Sequence, residues 1–187
     1  GFGFVNFFGM PTLIILPLYI KRVFNGSATL LGVLEACLWF GLISGSFSAK
    51  YFNRHKSIHK LGAACLFVFG LSLIGPGLFA HSVLYGCLLA IAGFALGVNN
   101  VKFLAMFQEE VPKEIKGRFF ALMQALISFS APMAYLIFGF LGDFVGPQRS
   151  SLIQGSGLVL LTLYFLALSQ KSSATLVPEP LESGRLP

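Results

Sequence analysis

A single carboxylate stands inside an otherwise uncharged run. Glu35 lies in residues 28–49, whose other members are aliphatic, aromatic, small, hydroxylated or thiol-bearing. A carboxyl group removed from water favours its neutral form, so it can take up and release a proton as its surroundings change. That chemistry suits a residue facing a central cavity. The competing reading places Glu35 at a polar rim, or pairs it with Lys21, Arg22 or Arg149. Four neutral amides form a second polar set: Asn6, Asn99, Asn100 and Gln124. They can line a cavity or tie helices together. Asn99 and Asn100 point about 100° apart on a helix, so at most one of them faces any pathway. No further chemistry is spelled out. Cys37, Cys65 and Cys87 stand singly, without a CxxC pair or a histidine at ligand spacing, and read as small buried hydrophobes. His55 and His59 fall in a basic stretch and His81 at the end of an apolar run. There is no nucleophile constellation, phosphate loop or zinc motif, so no catalytic residue, metal site or cofactor is expected.

The elements that must position these residues follow from composition. Of 187 residues, 56% are hydrophobic and only 11% charged, with a mean hydropathy of +0.81. A soluble domain carries roughly 25% charged residues and must keep a polar exterior, and a disordered chain is poorer still in apolar residues. Six apolar stretches stand out, at about 1–20, 28–49, 61–80, 82–107, 119–142 and 151–170. Each reaches the roughly 20 residues that cross a hydrocarbon core as helix, and helix satisfies every backbone group internally. Continuous apolar runs of this length do not suit a barrel of short alternating strands. The expected fold class is an all-α membrane protein with six transmembrane helices. Residues 1–170 form one bundle, and 171–187 a disordered cytoplasmic tail. Glu35 and Lys102 are then the charges within the spans. At 1.5 Å per residue Glu35 sits about 10 Å from the outer end of its helix, Asn6 about 22 Å and the two asparagines about 26 Å, with Gln124 about 8 Å from the inner end of its own. The four amides share an inner level.

Orientation follows from the basic residues. Thirteen Lys and Arg are present. Lys21, Arg22 and Arg149 fall on one side. All the others, from Lys50, Arg54, Lys56 and Lys60 through Lys102, Lys113, Lys116 and Arg118 to Lys171 and Arg185, fall on the opposite side or in the tail. Both ends of the chain are expected to face the cytoplasm, and the net charge of +6 is a topology signal rather than a nucleic-acid footprint. Gly1 already lies in an apolar run with no initiating Met and no cleavable-leader pattern before it, which reads as a piece of a longer chain.

Spacing adds packing and bending signals. Gly41, Gly45 and Ala49 recur every fourth residue, as do Gly93 and Gly97, which allows close helix approach for static packing or for sliding. Pro11, Pro17, Pro132 and the run Gly75-Pro76-Gly77 interrupt three spans. In the connector 111–118, Glu114 and Arg118 stand at i, i+4 and can pair if that segment is helical.

Several stretches carry a resemblance. They are Leu16-Pro17-Leu18-Tyr19, Gly26-Ser27-Ala28 with Leu31-Gly32, Gly41 to Gly45 with the basic loop after it, Pro112 to Leu122 with Gly117-Arg118, and Gly139-x-Leu141-x-Asp143. In this order and spacing the chain resembles the C-terminal half of a major facilitator superfamily transporter. It looks most like the drug:proton antiporter branch of macrolide and siderophore exporters. The resemblance implies two inverted three-helix repeats, facing an N-terminal six-helix half across a central cavity, with alternating access around a site near the midplane. It implies proton-coupled efflux of amphipathic small molecules from a bacterial inner membrane, with protons, the cargo and the lipid bilayer as partners. Glu35 is the coupling candidate of this half, Gly117 and Arg118 part of an inner gate, Gly45, Lys50 and Arg54 the loop motif, and Gly139 and Asp143 an outer helix-end motif. The superfamily's loop motif, Gly-x-x-x-Asp-Arg-x-Gly-Arg-Arg, is altered here. Ala49 stands at its Asp and Phe52 at its second Gly, which leaves the motif's charge relay without its carboxylate on this half. Two alternatives stay open: a transporter of the same fold for a lysolipid, sugar or metabolite, and a complete six-span scaffold or assembly protein. An enzyme is not expected.

Overall fold

The computed structural model describes residues 7–52 and 58–174. Six helices there are long and apolar enough to cross a membrane. Helix α1 covers Thr12–Tyr19, is preceded by a helical turn from Phe7, and continues through a π turn at Ile20–Phe24. Helix α2 is Ala28–Ser48, prolonged by a 3₁₀ turn at Ala49–Tyr51. Helices α3, α4, α5 and α6 are Ile58–Leu78, Ser82–Glu110, Lys116–Phe144 and Pro147–Ala174. The last helix thus reaches four residues into the stretch expected as tail, and residues 175–187 lie outside the described residues.

The turns explain where helices stop. Asn25 adopts the left-handed conformation with φ 45°, and the Gly26 N–H closes the π turn on the Ile20 carbonyl at 3.0 Å. Ser27 then caps α2, its Oγ accepting from the Leu30 N–H at 3.4 Å. Gly146, at φ 90°, reverses the chain between α5 and α6, a conformation that only glycine adopts without steric cost. These short turns share one end of the bundle. The C-terminal ends of α2 and α4 and the N-terminal ends of α3 and α5 share the other, with Lys50, Lys60, Lys102, Lys113, Lys116 and Arg118 at or near them; it is called the basic end below.

Packing follows a repeat. The extensive contacts are α2 on α4, α3 on α4 and α3 on α6; thinner ones join α1 to α5 and α1 to α6. Exchanging α1–α3 with α4–α6 turns α2–α4 into α5–α1, turns α3–α4 into α6–α1, and leaves α3–α6 unchanged. This is the contact pattern of two inverted three-helix repeats. Helix α4 packs along both α2 and α3, and the shorter α1 buries Ile15, Leu16 and Tyr19 in the core.

Glycines account for the close contacts of α2 with α4 and of α3 with α6. Gly41 and Gly45 on α2 lie directly against the Ala90 and Phe94 carbonyls of α4, and Gly93 and Gly97 on α4 lie against the Leu38 and Leu42 carbonyls of α2. A Cβ at any of the four would overlap a backbone oxygen, so the spacing of four builds a mutual backbone-to-backbone contact. Between α3 and α6, Gly70 and Gly155 face each other in the same way, and Gly77 admits Leu152. The centre of the core is aromatic. Tyr19 is fully buried, its ring 4.9 Å from Tyr85 and 5.2 Å from Phe24 between centroids. Its hydroxyl donates to the Pro76 carbonyl of α3 at 2.5 Å. One side chain therefore joins α1, α3 and α4.

Candidate functional site

Glu35 occupies the edge of the α2 face that packs on α4, beside the buried Leu34 and Leu38. It is half-buried and makes no hydrogen bond or ion pair with any of the described residues. The pairing considered from sequence goes elsewhere. Arg22, in the π turn of α1, donates from one guanidinium nitrogen to Asp143 Oδ1 at 2.7 Å and from the other to the Gly142 carbonyl at 3.0 Å. The physical reason is placement: Arg22 leaves α1 on the side of α5, whose last turn presents a carboxylate and freed carbonyls together. Asp143 of the outer helix-end pattern is thus a clasp between α1 and α5. Gly139, one turn back, has open space where a Cβ would be, whereas Gly142 lies against Leu18. Between α1 and α5 runs a shallow groove of about 300 Å³, lined by Ile14, Pro17, Leu18, Lys21, Gly139 and Asp143.

The amide layer is not assembled into one site. Asn99 turns toward α3, its Oδ1 3.4 Å from where a Cβ on Gly62 would stand, and this oxygen is buried without a hydrogen-bond partner among the described residues. Asn100 and Gln124 are exposed on α4 and α5. Those two helices share no extended packing, although Phe107 and Phe119 meet near their connector at 5.3 Å. Asn6 lies outside the described residues.

At the basic end, Gly45 proves to be a packing residue of the α2–α4 contact rather than part of a loop. Lys50 reaches over the Tyr51 ring at 4.9 Å, and Lys102 donates to the Phe52 carbonyl at 2.7 Å, tying α4 to the turn after α2. Arg54 lies outside the described residues. Glu114 and Arg118 are not paired. Residues 113–115 form a turn and α5 starts only at Lys116, so the i, i+4 geometry never forms; Lys116 instead donates to the Gln108 carbonyl at 2.5 Å. Arg118 is exposed and Gly117 has nothing within 4 Å of a built Cβ. Among the described residues no cluster of His, Cys, Asp or Glu could hold a metal ion.

Sequence reading missed a buried polar contact between α6 and the start of the first span. Gln154 on α6 is 1% exposed and donates through Nε2 to the Phe8 carbonyl at 2.6 Å and to Thr12 Oγ1 at 2.8 Å, with the Gly9 carbonyl at 3.4 Å. It sits where Pro11 interrupts the first span. A glutamine amid apolar residues was the available signal, in the same class as Asn99 and Gln124.

Comparison with known proteins places this arrangement. The chain is 24% identical over 156 residues to macrolide efflux protein A of Streptococcus pyogenes, a stretch covering 82% of this chain and 38% of that protein. It is 27% identical over 126 residues to macrolide efflux protein A of Enterococcus faecalis, covering 66% of this chain and 39% of that protein. The chain thus spans well under half the length of these curated relatives. No solved structure matches it significantly. Residues 1–135 match one family model, a span that takes in α1 to α4 and the larger part of α5. The chain is an integral membrane protein that belongs to the Major Facilitator Superfamily.

Proposed function

We propose that this chain is the C-terminal half of a secondary active transporter that exports amphipathic small molecules, macrolide-like in class, in exchange for protons. The reading rests first on the stretch shared with two proteins named for macrolide efflux. An N-terminal six-helix half of the same protein is the proposed partner, in keeping with the fraction of each relative that is matched. It would cover apolar faces such as that of α2, where Phe40 and Phe47 are 73% and 76% exposed. The excess of Lys and Arg at one end supports that end as the cytoplasmic one, and the Streptococcus and Enterococcus relatives support a bacterial inner membrane.

Glu35 is the residue that gives this half a means of coupling. Charged, it is costly within hydrocarbon, by about 2.5–3.5 kcal/mol for a centrally placed acidic residue on insertion scales, and no cation offsets it among the described residues. Neutral, it is compatible with the apolar surroundings of α2. Protonation therefore favours whichever arrangement closes Glu35 off from water, and release favours the arrangement that opens it. A proton entering from outside and leaving to the cytoplasm drives the cycle, and cargo moves the other way. At the basic end, Gly117 and Arg118 are proposed to meet the second half as an inner gate, with Lys50 and Arg54 as the loop motif beside it. Asn6, Asn99, Asn100 and Gln124 are proposed as residues of the inner half of the pathway, and Gly139 with Asp143 as the outer end of the gating helix α5.

The test is accumulation of a labelled macrolide in inverted membrane vesicles holding the full-length protein. An imposed pH gradient, acid inside, is expected to drive uptake, and a protonophore to abolish it. Uptake that ignores the gradient, or depends on nucleotide, would overturn the proposal.

A further inference from the structure

The first span is not one helix. Its backbone changes register at Met10–Pro11: the Leu13 N–H turns to the Met10 carbonyl at 3.3 Å and the Ile14 N–H to the Pro11 carbonyl at 2.9 Å, three residues back. This leaves the Gly9 carbonyl to side chains. The Thr12 hydroxyl donates to it at 2.9 Å, and the Gln154 amide approaches it at 3.4 Å while bonding the Phe8 carbonyl at 2.6 Å and the Thr12 oxygen at 2.8 Å. A broken span survives in hydrocarbon only if its freed groups find such partners.

Three facts set this contact apart from ordinary helix glue. Gln154 stands on a fixed post, because its neighbour Gly155 is backed directly on the Gly70 carbonyl and Ile74 of α3. The segment it holds lies on the far side of the Met10–Pro11 break, before α1 begins at Thr12. And the amide faces two successive carbonyls, one at bonding distance and one 0.8 Å farther (3.4 less 2.6 Å).

We propose that Gln154 is a positioning residue that sets the bend of α1, its amide hydrogen exchanging between the Phe8 and Gly9 carbonyls as the N-terminal segment of α1 tilts during the transport cycle. The second N–H stays on Thr12 and keeps the C-terminal part of α1 on α6. This inference rests on the transporter reading for its cycle, but the bend itself can be read without cargo.

The experiment uses the full-length protein with Cys37, Cys65, Cys87 and every other native cysteine replaced and cysteines introduced by Phe7→Cys and Phe138→Cys, whose native rings lie 6.0 Å apart between the turn before α1 and α5. Cross-linking yield reports the tilt, and vesicle uptake of a labelled macrolide reports turnover in the cysteine-free parent without the introduced pair. With Gln154 present, the yield is expected to change when pH or cargo is changed. In Gln154→Leu it becomes insensitive to both, and turnover falls roughly tenfold, the order expected from one lost buried hydrogen bond, with half-saturation unchanged. Gln154→Asn, a shorter amide, restores part of both. Thr12→Val keeps shape and removes one acceptor, so it tests the same clamp if Gln154→Leu does not insert; a several-fold loss of turnover is expected. The inference is overturned if Gln154→Leu responds like the parent, or if it fails to insert and Thr12→Val behaves as the parent does. A parent that moves no macrolide refutes the cargo reading alone, because the pH-dependent cross-linking still decides the clamp.

Discussion

Replacing glycines by alanine one at a time should sort them by what stands opposite the new methyl group, and the ordering can be worked out in advance. At Gly155 a Cβ would lie 2.6 Å from both the Gly70 carbonyl oxygen and Ile74 Cγ1, and 2.8 Å from the Ile74 nitrogen. Ordinary contact begins near 3.4 Å, so two helix backbones must part by up to 0.8 Å (3.4 less 2.6 Å). At Gly70 the nearest atoms, Val159 Cγ2, the Gly155 carbonyl oxygen and Leu158 Cβ, are 3.0–3.1 Å away, and a shift of 0.3–0.4 Å (3.4 less 3.1 and 3.0 Å) suffices. At Gly139, Gly117 and Gly32 nothing lies within 4 Å. Overpacking costs about 1–3 kcal/mol, and Gly155→Ala belongs at the upper end of that range, Gly70→Ala at the lower. Alanine at the three open sites gains up to about 1 kcal/mol of helix propensity. Gly41, Gly45, Gly93 and Gly97 should be as costly as Gly155 or more, because their contacts are with backbone oxygen that cannot swing aside. Thermal unfolding of each variant in one detergent, followed by near-ultraviolet circular dichroism, reads the order. Equal midpoints for Gly155→Ala and Gly139→Ala would refute the reasoning.

Three more outcomes follow. Arg22→Ala should lower stability by about 1 kcal/mol, mostly through the bond to the Gly142 carbonyl, since so exposed an ion pair contributes little by itself; a double variant with the charges exchanged, which cannot rebuild that bond, should recover little, and full recovery would show that the ion pair carries the effect. Tyr19→Phe leaves the Pro76 carbonyl without its donor and should cost about 1 kcal/mol in the same unfolding assay, and no loss would discount this link between α1 and α3. Asn99→Leu removes an unpartnered buried oxygen and should hold or raise stability while lowering macrolide uptake, whereas lower stability with normal uptake would make Asn99 a packing residue only.

Much of the fold could be read from the chain, and the reason is physical. Hydrocarbon imposes a length and forbids charge, so the six spans declare themselves as apolar runs between charged turns. The spacing of Gly41 with Gly45 and of Gly93 with Gly97 likewise announced a close contact, because only glycine lets backbones touch. The rotational setting of each helix was less legible. When every face is apolar, hydropathy does not say which side looks inward, and Asn99 could not be told from Asn100 in advance. Long-range choices were hidden for the same reason. Arg22 selects Asp143 because the break and π turn of α1 carry it toward α5, and neither distortion has a pattern in sequence beyond a proline. Gln154 is set apart by Phe8, Gly9 and Thr12 around it, which are 142–146 residues away in sequence.

The most direct measurement is proton movement in Glu35→Gln. Full-length protein is reconstituted into liposomes with a trapped pH-sensitive dye, and a macrolide gradient is imposed. The parent is expected to drive protons against the cargo flow. Glu35→Gln, matched in size but unable to ionise, is expected to bind macrolide as the parent does and yet move no protons with it. Proton movement in Glu35→Gln equal to that of the parent would contradict the role given to this carboxyl group.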